Sequence, residues 1–393
     1  VSGDTIVVGA YQDDDDGPNS GSSYIYEKST EGWATTEVKV TVPDWEAIAK
    51  LTSDGSDKYE YGEAIAVSGN TAVVGGDNNA YVFEQDQGTW VQTVKLTTSS
   101  SVGPASVDVK GDTIVVGAYE FDSGSAYIFE RNQGGADAWG QSAKLTVPLE
   151  PYGHYFGHSV AVTGNTIVVG ANDNAVHIFE KDHDGDNEWD SNNTDLAAKL
   201  VNPEDFDNYF GSSVDISGDT IVIGARFQDI GNNIDQGAAY IFERDQGGTN
   251  DWISTAKLTA SDGAEEDFFG YSVAVSGDVV VVGATRDDDN GKNSGSAYVF
   301  ERDQGEVNVW GQASKLTAPQ FEQDWDQMGY SVATSGDRIV VGAPYSFIGG
   351  GAAYVFERRI DAWAHVATLT NLDSEPSNDS VGSSVAVDED TIA

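Results

Sequence analysis

Short apolar runs alternate with polar turns from end to end, and the same run keeps returning. SGDTIVVGA at 2–10 recurs as SGNTAVVGG at 68–76, KGDTIVVGA at 110–118, TGNTIVVGA at 163–171, SGDTIVIGA at 217–225, SGDVVVVGA at 276–284 and SGDRIVVGA at 335–343. Each copy is followed by a second strand signal: SSYIYE, NAYVFE, SAYIFE, NAVHIFE, AAYIFE, SAYVFE and AAYVFE. A third signal opens at a tryptophan, read at Trp33, Trp90, Trp139, Trp189, Trp252, Trp310 and Trp363. A fourth, such as FGHSVAV, FGSSVDI or FGYSVAV, stands ahead of the next copy. Thr5 and Thr391 hold the same repeat position, so seven units share 386 residues, about 55 each. Four short strands per unit at that period predict an all-β, seven-bladed β-propeller of four-stranded antiparallel blades, and no window carries the 3.6-residue period of a helical solenoid.

The residue types suit such blades. Both faces of TIVVGA are apolar, as expected of an inner strand packed between neighbouring blades, and the terminal Gly-Ala is expected to keep the backbone thin where blades crowd toward the axis. The strand after each tryptophan alternates apolar and polar positions, as an outermost strand does. It repeatedly carries lysine (Lys50, Lys95, Lys144, Lys199, Lys257, Lys315), which blunts an edge against strand-to-strand association.

The first unit lacks its own leading strand, and VGSSVAV at 381–387 supplies it, so the C-terminal strand is expected to pair with the N-terminal blade and close the ring. The whole of 1–393 then reads as one propeller domain. DEDTIA at 388–393 duplicates the repeat position of 4–9, and both cannot fill one place, which suggests a piece of a longer repeat array.

These motifs resemble the FG-GAP repeat family, the integrin-α-like seven-bladed propellers. FG stands at Phe156-Gly157, Phe210-Gly211 and Phe269-Gly270, and in altered form at Tyr61-Gly62, Val102-Gly103, Met328-Gly329 and Val381-Gly382. GAP is complete once, at Gly342-Ala343-Pro344. The resemblance covers essentially the whole chain and implies a secreted or cell-surface protein. Integrin-type repeats carry a DxDxDG-like calcium loop between the FG strand and the next. Here that connection is a tight SGD or SGN turn, so those sites do not carry over, nor does integrin ligand specificity.

Charge narrows the function further. Lys and Arg total 20 against 65 Asp and Glu, a net charge of −45, which argues against nucleic acid and anionic lipid as partners. No apolar run is long enough to span a membrane, and the absence of cysteine excludes disulfides and thiolate chemistry. The interblade stretches hold 17 carboxylates and the inner loops 13, against Lys58, Arg226, Arg286 and Lys292, so one face bears about −26. It is either a solvated acidic surface or a cation-dependent binding face for a protein or glycan ligand, with neighbouring copies or domains as further partners.

Calcium is the candidate cofactor. Two inner loops, 13–21 and 287–295, match at seven of nine positions. Each sets oxygen ligands at alternate positions with a glycine for the turn: Asp13, Asp15, Gly17 and Asn19, and Asp287, Asp289, Gly291 and Asn293. The alternative is a solvated Asp-Gly hairpin loop. A weaker candidate is Asp182, Asp184 and Asp186, whose loop lacks the EF-hand glycine and terminal glutamate. His154 and His158 flank one FG element, but no nucleophile or third ligand is identifiable beside them. The expectation is therefore a non-catalytic extracellular or cell-surface propeller serving adhesion, recognition or assembly. The alternatives are a carbohydrate-active lyase or hydrolase and a subunit of an extracellular filament.

Overall fold

The computed structural model describes all residues except 1–4, 14–19, 29–44, 53–60, 77–78, 100–105, 120–123, 148–154, 172–173, 182–187, 190–195, 205–207, 245–250, 304–307, 320–323, 347–349, 361, 372–378 and 389–393. Among the described residues 28 strands form seven four-stranded antiparallel sheets, the blades of a propeller. Blade 6 shows the plan: β20 (Phe269–Ser276), β21 (Val279–Ala284), β22 (Ser296–Arg302) and β23 (Trp310–Leu316) follow one another from the axis outward. The SVAV-type strand is thus innermost, and the VVGA strand lies second, every residue of β21 buried.

Ring closure is as the repeat implied. β28 (Val381–Asp388) is the innermost strand of blade 1 and pairs with β1 (Thr5–Ala10), setting Ile6 opposite Val387 and Val8 opposite Val385. The third strand signal of that blade is corrected. β3 runs Trp45–Leu51, with Lys28 opposite Trp45 and Tyr24 opposite Lys50, so Trp45 takes the position read at Trp33. Trp33 lies outside the described residues. The regular Tyr-to-Trp spacing of the other blades concealed a longer connection here.

Blades are locked together by the two glycines of the repeat. The FG glycines Gly62, Gly157, Gly211, Gly270, Gly329 and Gly382 have φ between 88° and 94°, a region that costs a side chain dearly. In that conformation the Gly329 carbonyl presses on Gly283 of the preceding blade, where an added Cβ would lie 2.1 Å from its oxygen. The serine of the innermost strand caps the same carbonyl: Ser272 Oγ donates to Gly329 O at 2.8 Å and Ser159 Oγ to Gly211 O at 2.8 Å. The thin Gly-Ala therefore answers to a neighbour's backbone rather than to crowding at the axis. Each FG aromatic plugs the seam beside it, as Phe269 does edge-on to Tyr298 and Phe300 at 5.5 and 5.9 Å.

A second interblade device joins the ends of the third strands, where the residue after Phe-Glu reaches back to the glutamate of the preceding blade. The pairs are Lys28–Glu357 (2.6 Å), Arg131–Glu84 (2.7 Å), Lys181–Glu130 (2.6 Å), Arg244–Glu180 (2.6 Å), Arg302–Glu243 and Arg358–Glu301. Gln85 donates to Glu27 at 2.6 Å and completes the circle. Four of these arginines also lie over the tryptophan that opens the fourth strand, and Arg131, Arg244 and Arg302 meet the aspartate of their own SGD-type turn at 2.8–3.0 Å. The edge lysines fold back as well: Lys50, Lys95, Lys144, Lys257 and Lys315 sit 5.1–5.7 Å from the ring centre of a neighbouring tyrosine.

Candidate functional site on the loop face

Innermost strands start on one face of the ring, second strands return to it, and the interblade segments cross it. This loop face therefore carries the paired acidic loops, while the opposite face carries the SGD turns.

Of the proposed calcium ligands, Asp13, Asp287, Asp289, Gly291 and Asn293 are described, whereas Asp15, Gly17, Asn19, Asp182, Asp184 and Asp186 lie outside the described residues. Asp13 and Asp287 are both turned into the blade. Tyr24 Oη donates to Asp13 Oδ2 at 2.6 Å and Lys50 Nζ approaches it at 3.0 Å. Likewise Tyr298 Oη donates to Asp287 Oδ2 at 2.6 Å, Ser296 Oγ to Oδ1 at 3.0 Å and Lys315 Nζ to Oδ2 at 2.8 Å. The match between the two loops thus reflects, in part, a buried acceptor that both need.

Around Asp287 the structure gathers Asp289 from the same loop and Asp262 from the interblade segment, their oxygens within 4.8 Å of one another. These three carboxylates could hold a metal ion. Lys315 Nζ now stands among them, 2.9 Å from Asp262 and also in contact with Asp289, which leaves two negative charges unbalanced. Its ammonium pKa is raised: burial works against the charge, and hydrogen bonds to the three aspartates outweigh it. Asp267 lies close by, and burial pushes its carboxyl up to about 6 despite a bond from the Ala264 N–H. Gly291 and Asn293 come later in the loop, where the Asn293 N–H donates to Asp288 Oδ1 at 2.6 Å.

The channel down the axis, about 310 Å³, is lined by the turn-face halves of the innermost strands and bears Asp388 together with two buried carboxylates, Asp108 and Asp215, that stand out from the repeat. Asp108 and Asp215 stand where other blades have Ala66, Ala161, Ala274, Ala333 or Ala386. Each bridges to the next blade: Asp108 accepts from Val109 N (2.8 Å) and Val162 N (2.7 Å), and Asp215 from Ile216 N (2.8 Å) and Val275 N (2.6 Å). They keep contact with the channel but lie deep within the ring, and burial pushes the Asp108 and Asp215 carboxyls up to about 6 and 7.

At the loop-face end of the axis the residue just after FG is Glu63, His158, Tyr271 or Tyr330 in four blades, and the residue just after GA is Tyr11, Tyr119 or Arg226 in the other three. Contacts run around this mouth. Tyr119 lies 5.3 Å from His158, Arg226 lies 5.0–5.1 Å from the rings of Tyr209, Phe227 and Tyr271, and Tyr271 lies 5.1 Å from Tyr330. Tyr330 meets Tyr345 at 6.1 Å, and Tyr345 in turn acts on Tyr11. Burial raises the Tyr11 phenol to about 12 and the Tyr271 and Tyr330 phenols as well, so all three remain protonated donors. His158 Nδ1 lies 3.2 Å from Ser212 O, which requires the proton on Nδ1 and leaves a lone pair on Nε2. Burial, helped by Arg226, lowers its pKa. His154 lies outside the described residues. The signal for this site was present in the sequence, as positions that change from copy to copy between invariant neighbours.

Seven four-stranded blades closed by a terminal strand, with a non-repeating mouth at one end of the axis, define a β-propeller scaffold with one differentiated face. The model of the FG-GAP repeat matches residues 1–26, 139–188, 198–242, 252–300 and 310–356, more than half of the chain, and the protein belongs to that family. No curated protein matches it by sequence. Among solved structures it is similar to a putative 6-phosphogluconolactonase from Bacteroides fragilis NCTC 9343 (TM-score 0.64, 12% identity, 99% of this chain and 98% of that one). It is also similar to the periplasmic gluconolactonase of Pseudomonas aeruginosa (TM-score 0.58, 14% identity, 94% and 96%). A third is the β-propeller domain of Cps50 (Swd1) from Myceliophteria thermophila (TM-score 0.53, 10% identity, 82% and 87%). At such identities the likeness is one of fold. It nonetheless overturns the expectation that the chain is not an enzyme: two rings of this shape are named as lactonases, so a missing sequence constellation does not exclude catalysis. Among the described residues no helix is long and apolar enough to cross a membrane.

Proposed function

We propose that the protein is an extracellular or cell-surface recognition propeller that binds a glycan or protein partner on its loop face, with calcium supporting the acidic loops. The observation that carries this reading is the channel mouth, where blades of near-identical plan vary in the residue after FG or GA, so that tyrosines stand with His158 and Arg226. Fold alone requires no such divergence, and binding groups concentrate on loops held by a rigid scaffold. Membership of the FG-GAP family supports the extracellular setting. A calcium ion at Asp262, Asp287 and Asp289 would match the two charges that Lys315 leaves unbalanced, and would compete with that ammonium.

Calorimetric titration tests the calcium part. The protein should bind calcium in the millimolar range, Asp15→Asn with Asp289→Asn should weaken it, and Lys315→Met should tighten it. Identical titrations for all three proteins would mean that these loops are turns only. A panel of immobilised glycans and peptides, probed with and without a calcium chelator, tests recognition itself.

A second reading is hydrolysis of a sugar lactone or ester at the same mouth. It is favoured by His158, held neutral with Nε2 free to take a proton and with Arg226 near a developing oxyanion. Turnover of an aldonolactone that disappears in His158→Ala would establish it, and no turnover would remove it.

A further inference from the structure

The eight arginines of this chain are not treated alike. Arg131, Arg244, Arg286, Arg302, Arg338, Arg358 and Arg359 each meet a carboxylate, as expected where acids outnumber bases threefold. Arg226 does not, among the described residues. It lies instead against Tyr209, Phe227 and Tyr271, all at 5.0–5.1 Å. Ring faces answer its charge, while none of its N–H donors meets a carboxylate among the described residues. Tyr209 reaches this position with φ of 58°, a left-handed conformation unusual for an aromatic residue. Beside it stand the Tyr271 phenol, with Tyr330 against that ring, and His158 with its Nε2 lone pair. Among the described residues the mouth thus combines a cation without a carboxylate partner, several aromatic rings, tyrosine hydroxyls and a nitrogen acceptor.

From this we infer that the channel mouth takes an acidic sugar, a hexuronate at the end of a glycan. Its carboxylate meets the N–H edge of Arg226, its C–H face lies on an aromatic ring, and its hydroxyls bond to His158 Nε2 and the tyrosine hydroxyls. A forked guanidinium suits a planar carboxylate better than any neutral group. Rings that carry hydroxyls suit a ligand with both an apolar face and a rim of hydroxyls. A peptide carboxylate would use Arg226 but leave most of the other groups idle. The long-range field of a −45 chain opposes an anion. At physiological ionic strength, however, that field is screened beyond about 8 Å, while the Arg–carboxylate contact acts at short range. The inference rests on the recognition reading and narrows it to one ligand class.

The test uses oligosaccharides ending in glucuronate or galacturonate, their neutral glucose- and galactose-ended counterparts, and an acidic peptide. Each is titrated into the intact protein, Arg226→Gln and Tyr271→Ala at physiological salt, with melting temperatures measured alongside. We expect the uronate-ended chains to bind at least ~10-fold more tightly than the neutral ones. Arg226→Gln should abolish that preference without changing the melting temperature, and Tyr271→Ala should weaken binding of the uronate chains. Equal binding of neutral and acidic sugars overturns the inference, as does preferred binding of the peptide. Uronate binding indifferent to Arg226→Gln also overturns it while leaving recognition elsewhere on the loop face intact. Failure of every ligand to bind overturns both.

Discussion

A carbonyl oxygen 2.1 Å from where a Cβ would stand leaves Gly283 no substitute, because the obstacle is the backbone of the next blade and cannot rotate away. Gly283→Ala should therefore cost about 3 kcal/mol or more, the upper range for overpacking a rigid site. Gly277→Ala provides the control: φ is 56° but a Cβ meets nothing within 4 Å, so its cost should stay near ~1 kcal/mol. Urea unfolding of both variants measures the difference. Asp215 gives a pH signature. Its folded pKa, about 7, is raised from the ordinary 3.8, so the folded state holds this proton more tightly than the unfolded chain. The stability from this group is full below the ordinary value and is lost as pH rises through 7. Asp215→Asn cannot titrate, so its melting temperature should fall less between pH 5 and pH 8 than that of the parent; parallel profiles would contradict the assignment. At this scale the sequence was legible as pattern but not as cause. Gly-Ala was visible, yet its reason lies in a residue some 45 positions away at Gly329. The two aspartates stood in plain view inside SVDV and SVDI, without any sign that they share a channel.

Strands were the most legible level, because period-two burial and buried VVGA runs follow directly from packing blade on blade. What escaped were the connections between elements. Glu180 and Arg244 lie 64 positions apart and carry no local signature, although FE followed by a basic or amide residue recurs in most units. Arg244 is also stacked on Trp252 at 4.6 Å and meets Asp219 at 3.0 Å, so Arg244→Ala removes packing as well as charge. It should cost about 2 kcal/mol, and leaving Glu180 without its partner is part of that cost. Arg244→Lys should recover only part of it in thermal melts. Removing 381–388 strips β1 of its inner partner and opens the Thr5–Ala10 edge. The truncated protein should melt far lower or aggregate, and a melt like that of the parent would contradict the latch. Trp33 has the spacing of the other blades, but β3 opens at Trp45 after a longer connection, which a repeat spacing cannot show.

Across the whole molecule the two faces are used differently. On the turn face, arginines, glutamates and turn aspartates are consumed in holding blades together. On the loop face, the repeats diverge, Trp325 and Tyr345 are 48% and 45% exposed, and acidic clusters retain unbalanced charge. The sequence revealed that this face is acidic and aromatic. It marked the mouth only as residues that vary after FG and GA; that Tyr271, His158, Arg226 and Tyr330 meet there depends on ring closure. That recognition lives on this face is the central claim, and binding by two multiple variants against one panel of neutral glycans, acidic glycans and peptides tests it most directly. Tyr119→Ala, Arg226→Gln and Tyr330→Ala together alter the mouth; Asp112→Asn, Asp219→Asn and Asp278→Asn together alter the turn face. The loop-face variant should lose binding while staying folded, its melt lowered only by the lost ring contacts of Tyr119 and Tyr330, and the turn-face variant should keep binding while melting lower. Binding retained by the first and lost by the second, at unchanged fold, would contradict the account.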